Sequence, residues 1–361
     1  MTPSVDRASV GRAESRPVAP PSADVRDAAA ARLAGLATPP GALGRLGELG
    51  VWVAACQGEV PPRPLGNVRL VIFAGDHGVA HHGVSAFGPE ITPLMVRTFA
   101  AGRAAVSALA GAHGVHVRVL DLGVDDDLEG LPDDVRAHKV CRGSGAIHLE
   151  DALSEAEVRQ ALAAGAAVAQ EEIALGADLL LTGDMGIGNT TPAAALIAAT
   201  LGLPACEVVG TGTGVDAEGL ARKTAVLDAA LARTADRLHD PVATLAALGS
   251  ADLAATAGFL LTAAGGGIPV LLDGLMSVAC ALVAERLAPG AAAWFAAGHR
   301  STEPAQTLAL AKLGLEPLLD LGMRLGEGSG AVAAVPVVRS SVALLRDTAL
   351  LADLLPGPVP G

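Results

Sequence analysis

The stretch Asp178–Pro192 reads DLLLTGDMGIGNTTP. Asp178–Leu181 is a short, largely apolar run, and it breaks into the glycine-bearing turn Thr182-Gly183-Asp184. Pro192 then suits the first turn of a helix whose free amides Asn189, Thr190 and Thr191 can cap. Strand, polar loop and helix follow one another within fifteen residues. The same grammar recurs along the chain. Val68–Ala74 precedes Gly75-Asp76-His77-Gly78, and Val115–Leu120 precedes Asp121-Leu122-Gly123. Glu207–Val209 precedes Gly210-Thr211-Gly212-Thr213-Gly214, Ile268–Leu272 precedes Asp273-Gly274, and Ala292–Ala297 precedes Gly298-His299-Arg300. Runs this short and apolar fit strands buried on both faces, as in a parallel sheet. The Ala- and Leu-rich stretches Glu155–Gly176 and Gly219–Leu238 are long enough for crossover helices. The expectation is an α/β fold with a mostly parallel sheet of about six strands. Ligands bind such sheets at the carboxyl ends of the strands, where these polar turns fall.

At 361 residues the chain suits one large α/β domain or two smaller ones. Hydrophobic residues make up 51%, which excludes a disordered protein. With 2% aromatics, no Tyr and a net charge of −13, a nucleic-acid partner is excluded as an expectation, whereas small anionic ligands are not. Lys139, Lys223 and Lys312 are the only lysines among 25 cationic residues. Cys56, Cys141, Cys206 and Cys280 form no CxxC pair, which reads as a reducing, cytoplasmic compartment and no zinc site. The N-terminus carries no apolar run of a signal peptide, and residues 1–25 read as a flexible tail before a single domain over 26–361. Twenty uncharged residues separate Asp252 from Asp273, but Gly258, Gly265-Gly266-Gly267 and Pro269 divide them into a helix, a turn and a strand. No membrane partner is expected. Asp24–Gln57 reads as helix, Pro-Pro-Gly turn, helix, and Gly330–Leu355 is again helical. These ends form a smaller helical part, over about 26–60 and 330–355.

Several segments carry chemistry. Gly183 to Thr190 has the glycine spacing of a phosphate-binding P-loop, but Asn189 stands where its lysine would be, which argues against NTP hydrolysis. A loop of this kind at a helix N-terminus is still a natural anion site. Gly210–Gly214 can offer further amides, with Lys223 on the next helix within reach. Asp76, His77, His81 and His82 lack the spacing of a metal cluster and read instead as a hydrogen-bonded loop at a strand end. In LGMRLGEGSGA, Glu327 is one carboxylate among glycines beside Leu325. Partial burial makes it a general base, and capping of the following helix is the alternative.

Taken together, these segments resemble the nicotinate-nucleotide–dimethylbenzimidazole phosphoribosyltransferase family. The resemblance runs in order through PPGALGRL (Pro39–Leu46), AGDHGVA (Ala74–Ala80), GVSAF (Gly83–Phe87) and MGIGNTTPAAA (Met185–Ala195). It continues through GTGTGVDAEGLARK (Gly210–Lys223), PVLLDG (Pro269–Gly274), GHRSTEP (Gly298–Pro304) and LDLGMRLGEGSGA (Leu319–Ala331). It implies a Rossmann-like sheet, a homodimer, and no metal or cofactor. The implied reaction moves phosphoribose from nicotinate mononucleotide to 5,6-dimethylbenzimidazole or a related base, giving α-ribazole 5′-phosphate and nicotinate. A nucleotide-binding protein that kept the fold without the activity is the rival reading. By resemblance Glu327 is the catalytic base, with Asp184 beside it. The phosphate falls to Gly186, Gly188, Asn189, Thr190, Gly212, Thr213, Gly214, Lys223 and Ser301, and the incoming base to Ser85, Phe87, Leu94 and Leu325. Asp184 stands where the family commonly has Glu, Thr211 where it has Arg, and Leu94 where it often has Gln. An apolar Leu94 implies broad tolerance of the base.

Overall fold

The structure is a computed structural model that describes residues 17–355. After α1 (Ala23–Ala34) and α2 (Gly44–Gln57) come β1 (Val68–Gly75), α3 (Ile91–Ala100), α4 (Ala105–His113) and β2 (Val115–Gly123). A single turn, α5 (Asp133–Arg136), leads to α6 (Glu155–Ala174) and β3 (Leu179–Met185). Next are α7 (Thr190–Leu201), the turn α8 (Ala205–Val208), α9 (Ala217–Thr234), α10 (Pro241–Leu248) and α11 (Ala251–Gly265). The chain closes with β4 (Val270–Leu272), α12 (Leu275–Leu287), β5 (Phe295–Ala297), α13 (Pro304–Leu313), α14 (Ser329–Asp347) and α15 (Leu351–Leu354).

The sheet is parallel throughout, in the order β2-β1-β3-β4-β5. It has five strands rather than the expected six. The missing one is Glu207–Val209. Pro204 starts a turn of helix there, and only Ala205 and Val208 are buried, a helical spacing of three. β3, in contrast, runs past Leu181 to Met185 and carries Asp184 on the strand itself.

Alternation along the strands divides the core. Val71 and Phe73 face a layer built from α6, α7, α10, α11 and α12, while Leu70, Ile72 and Ala74 face α2, α3, α4 and α14. Helices thus cover both sides, which is why the strands read as unbroken apolar runs. The terminal helices meet. Arg32 on α1 donates to the carbonyls of Leu345 and Arg346 at 2.7 and 2.9 Å, and Leu36 bridges Leu350. Through Val332, Val335 and Val338, α14 also belongs to the core under the sheet.

Residues 1–16 of the expected tail lie outside the described residues. Its remainder is anchored: Val18 N–H donates to the Pro289 carbonyl at 2.9 Å, and Trp294 Nε1 donates to the Ala19 carbonyl at 2.9 Å. The segment between Asp252 and Asp273 is α11, an exposed turn at Gly265-Gly266, and β4; most of α11 and all of β4 are inside the core. Among the described residues one helix, α14, is long and apolar enough to cross a membrane, and 56% of it is buried within the protein. The chain steps from β1 to β2 on one side and then crosses back over β1 to β3 on the other, so the winding direction reverses there. That opens a crevice at the carboxyl ends of the strands.

Candidate active site

A cleft of about 190 Å³ lies there, walled by residues that follow β3, β4 and β5 and by the loop 324–327. β3 delivers Asp184 and Met185, and the chain then turns through Gly186 and Ile187 into α7, with Asn189 and Thr190 on the wall. A β-carbon on Gly186 would strike the Gly75 carbonyl and the His77 ring, so the close approach of this loop to β1 requires glycine. Asn189 does not cap the helix. Its Nδ2 donates to Asp184 Oδ1 at 2.6 Å, and α7 has no side-chain cap. With no side-chain cap, this N-terminus presents its positive dipole end to the cleft, although the Thr191 amide is already on the Gly188 carbonyl and Pro192 has none.

Gly212 and Thr213 line the cleft beside Thr190, while Gly188 and Gly214, both at positive φ, are off its wall. The Gly212 amide is taken by Glu303 Oε1 at 2.8 Å. Lys223 lies beneath, 1% exposed, and its Nζ donates to Thr190 Oγ1 at 2.7 Å and to the Gly210 carbonyl at 3.0 Å. It ties the two loops together rather than standing in the cleft wall. Burial pushes its ammonium below the usual lysine range, and the Glu303 charge opposes that shift. Ser301 is on the wall, its amide held by Gln306 Oε1 at 2.6 Å.

Glu327 lies on the far side of the cleft, 6% exposed, with φ of 64°. A non-glycine residue held in this left-handed region carries strain, which is found where the surroundings fix a functional side chain. The surroundings are visible. Asp273, just after β4, accepts from the amides of Gly328, Gly330 and Ala331 at 3.1, 2.8 and 3.0 Å. It thereby caps α14 from outside the segment. Beneath, Gly183 leaves room for the Glu327 carbonyl, which a β-carbon would strike. Glu327 is therefore not the cap of α14, and its Oε2 instead accepts from the Val106 amide at 3.3 Å. Burial pushes its carboxyl above the ordinary range, the Val106 amide opposes this, and the charge of Asp273 adds to it.

Behind the cleft lies a group of buried acids. Asp184 Oδ2 has no hydrogen-bond partner, nor has either oxygen of Asp252, which is fully buried at the start of α11. Burial and then the Asp252 charge push Asp184 well above the ordinary carboxylate value. His77 Nε2 stands 3.7 Å from Asp252 Oδ2, and His299 Nε2 stands 3.5 Å from Asp273 Oδ1. Asp76 fixes the loop after β2, accepting from the Asp125 amide at 2.9 Å. Among the described residues no three His, Cys, Asp or Glu side chains are grouped to hold a metal ion.

The base-facing residues distribute differently from expectation. Leu325 lines the cleft, but Leu94 and Phe87 are 56% and 55% exposed and lie off its wall. One residue along α3, Met95 supplies the apolar surface instead, joined by Leu275 and Met276. Ser85 is also off the wall. It contacts Thr213 Oγ1 at 3.1 Å and pins its own loop to the glycine loop. Sequence reasoning assigned no role to Glu303, Asp273, Asp252, His299 or Arg324. Asp273 and His299 were within reach, since each stands at the carboxyl end of a strand as Asp184 does.

A phosphoribosyltransferase family model matches residues 18–353. The chain is 57% identical over 337 residues to the nicotinate-nucleotide–dimethylbenzimidazole phosphoribosyltransferase of Mycolicibacterium paratuberculosis, covering 93% of this chain and 96% of that one. The chain belongs to this phosphoribosyltransferase family. The family member so named from Mycobacterium tuberculosis is 54% identical, with 93% of each chain covered. Among solved structures, that of CobT from Thermus thermophilus superposes with a TM-score of 0.88 at 44% identity, over 92% of this chain and 98% of that one. The family assignment thus covers both cleft walls and the helices that carry them.

Proposed function

We propose that the chain transfers phosphoribose from nicotinate mononucleotide to 5,6-dimethylbenzimidazole or a related base, releasing nicotinate and forming α-ribazole 5′-phosphate. The observation that carries this reading is Glu327: a buried carboxylate with a raised pKa, held in a left-handed conformation beside an apolar wall and across a cleft from an uncapped helix N-terminus. The azole nitrogen lone pair attacks the anomeric carbon as the bond to the pyridinium nitrogen breaks, and that bonding pair returns to the departing nicotinate ring. The other ring nitrogen of the azole then gives its proton to Glu327. A carboxylate whose pKa is raised by burial accepts that proton more readily than an exposed one. The flat ring packs on Leu325, Met276 and Met95.

The reading extends to a cytoplasmic homodimer that needs no cofactor. Phe87, Leu94, Leu321 and Leu325 are large apolar side chains left exposed, and three of them sit on or next to segments that border the cleft. Their burial against a second copy is what the homodimer reading requires. Light scattering on the purified protein gives the mass. The activity is tested by mixing the protein with nicotinate mononucleotide and dimethylbenzimidazole and separating the products by chromatography. A ribotide of the base is expected, and its absence refutes the assignment.

A further inference from the structure

A phosphate dianion that enters this cleft meets three carboxylates on its walls: Asp184, Glu303 and Glu327. Against them stands one Lys or Arg side chain on the wall among the described residues, Arg324. Lys223 is buried below, with Thr190 Oγ1 and the Gly210 carbonyl already on its ammonium. The Gly212 amide is already donated to Glu303. Arg324 is differently placed. It is exposed, its Nη1 donates to the Gly212 carbonyl at 3.2 Å, and it lies against Gly214 on the same glycine loop. That bond holds the guanidinium over the glycine loop and leaves most of its five N–H donors unused. A planar guanidinium fork matches two phosphate oxygens at once.

We propose that Arg324 reads the 5′-phosphate of the mononucleotide from its place over the glycine loop 210–214. This rests on the phosphoribosyl-transfer reading, because that reading supplies the phosphate. The contact is one of ground-state recognition, away from the bonds that change. Its loss therefore appears in KM for the mononucleotide rather than in kcat.

The test compares wild type with Arg324→Met and Arg324→Lys. For each, KM for nicotinate mononucleotide is measured with dimethylbenzimidazole saturating, together with the inhibition constant of inorganic phosphate against the mononucleotide. In Arg324→Met both constants are expected to rise by the same factor, roughly 10- to 100-fold for a lost charge-assisted contact. Arg324→Lys, with the charge but not the fork, is expected to fall between. A rise in KM with an unchanged phosphate constant overturns the proposal and assigns the guanidinium to the nicotinate carboxylate. No change in either constant reduces Arg324 to a solvated charge, and a wild type indifferent to phosphate overturns the proposal as well. A wild-type protein that releases no nicotinate removes the transfer reading itself, which separates that failure from this one.

Discussion

Replacing Glu327 with Gln removes the proton acceptor and leaves almost everything else. The backbone at residue 327 is fixed by the bonds from Gly328, Gly330 and Ala331 to Asp273, none of which involves the Glu327 side chain. A Gln carbonyl oxygen can still accept the Val106 amide, which Glu327 accepts at a long 3.3 Å. The cost in stability is therefore below about 1 kcal/mol. The cost in catalysis is that of a lost general base, roughly 10²- to 10⁴-fold, or about 3–5 kcal/mol on the barrier. The assay is single-turnover nicotinate release with enzyme in excess, so that product release does not mask the chemical step. Nucleotide affinity is expected to stay within about threefold of wild type. The pH profile gives a second readout. Because burial raises the Glu327 carboxyl, wild-type activity falls on acidification through a value above the ordinary Glu range near about 4.3. In Glu327→Gln that acid limb disappears. A variant with near-normal single-turnover rate, or one that keeps the limb, refutes the role of Glu327 as base.

Lys223→Ala leaves Thr190 Oγ1 and the Gly210 carbonyl without their donor, so it loosens both loops. It is expected to lose about 1–3 kcal/mol of stability by denaturant titration and to raise KM for the mononucleotide. Asp184 is pushed up by burial beside Asp252, so the folded protein binds its proton more tightly than the unfolded chain does. The stability this confers is complete below the ordinary carboxylate value near about 3.9 and is lost as pH rises through the higher folded-state value. Thermal midpoints of Asp184→Asn are thus expected to fall less from mildly acidic to alkaline pH than those of wild type, and parallel curves count against a raised Asp184 carboxyl. The incoming base meets Met95, Leu275, Met276 and Leu325, walls that discriminate by only about 1–3 kcal/mol per methylene. In competition at limiting mononucleotide, unsubstituted benzimidazole is expected within about two orders of magnitude of dimethylbenzimidazole, and exclusion beyond about 10⁴-fold shows that a polar group reads the ring.

The parallel sheet was legible because helices cover both faces, which leaves each strand an unbroken apolar run. The Glu207–Val209 expectation failed because the five residues between Pro204 and the glycine loop at Gly210 do not distinguish a strand from one turn of helix. Glycine loops and Glu327 announce themselves locally. Asp252 does not: an acid in the first turn of a helix reads as a dipole partner, and only the fold sets it beside Asp184 and His77. Glu303, just ahead of Pro304, likewise reads as a helix start, although its carboxylate holds the Gly212 amide of a distant loop. Leu94 and Met95 show the limit at a single residue. Both are apolar on α3, and the rotation of the helix decides that Met95 meets the cleft.

Whether nicotinate release depends on the acceptor base is the most direct measurement of the transfer chemistry. The protein is incubated with nicotinate mononucleotide alone, and then with dimethylbenzimidazole added, without ATP; nicotinate and ribotide are quantified and the anomeric configuration is read by NMR. Expected are equal amounts of nicotinate and an α-configured ribotide, with release near zero until the base is present. Release that proceeds without the base, or a base that goes unconsumed while nicotinate accumulates, contradicts a cleft built to bring an azole, Glu327 and the anomeric carbon together.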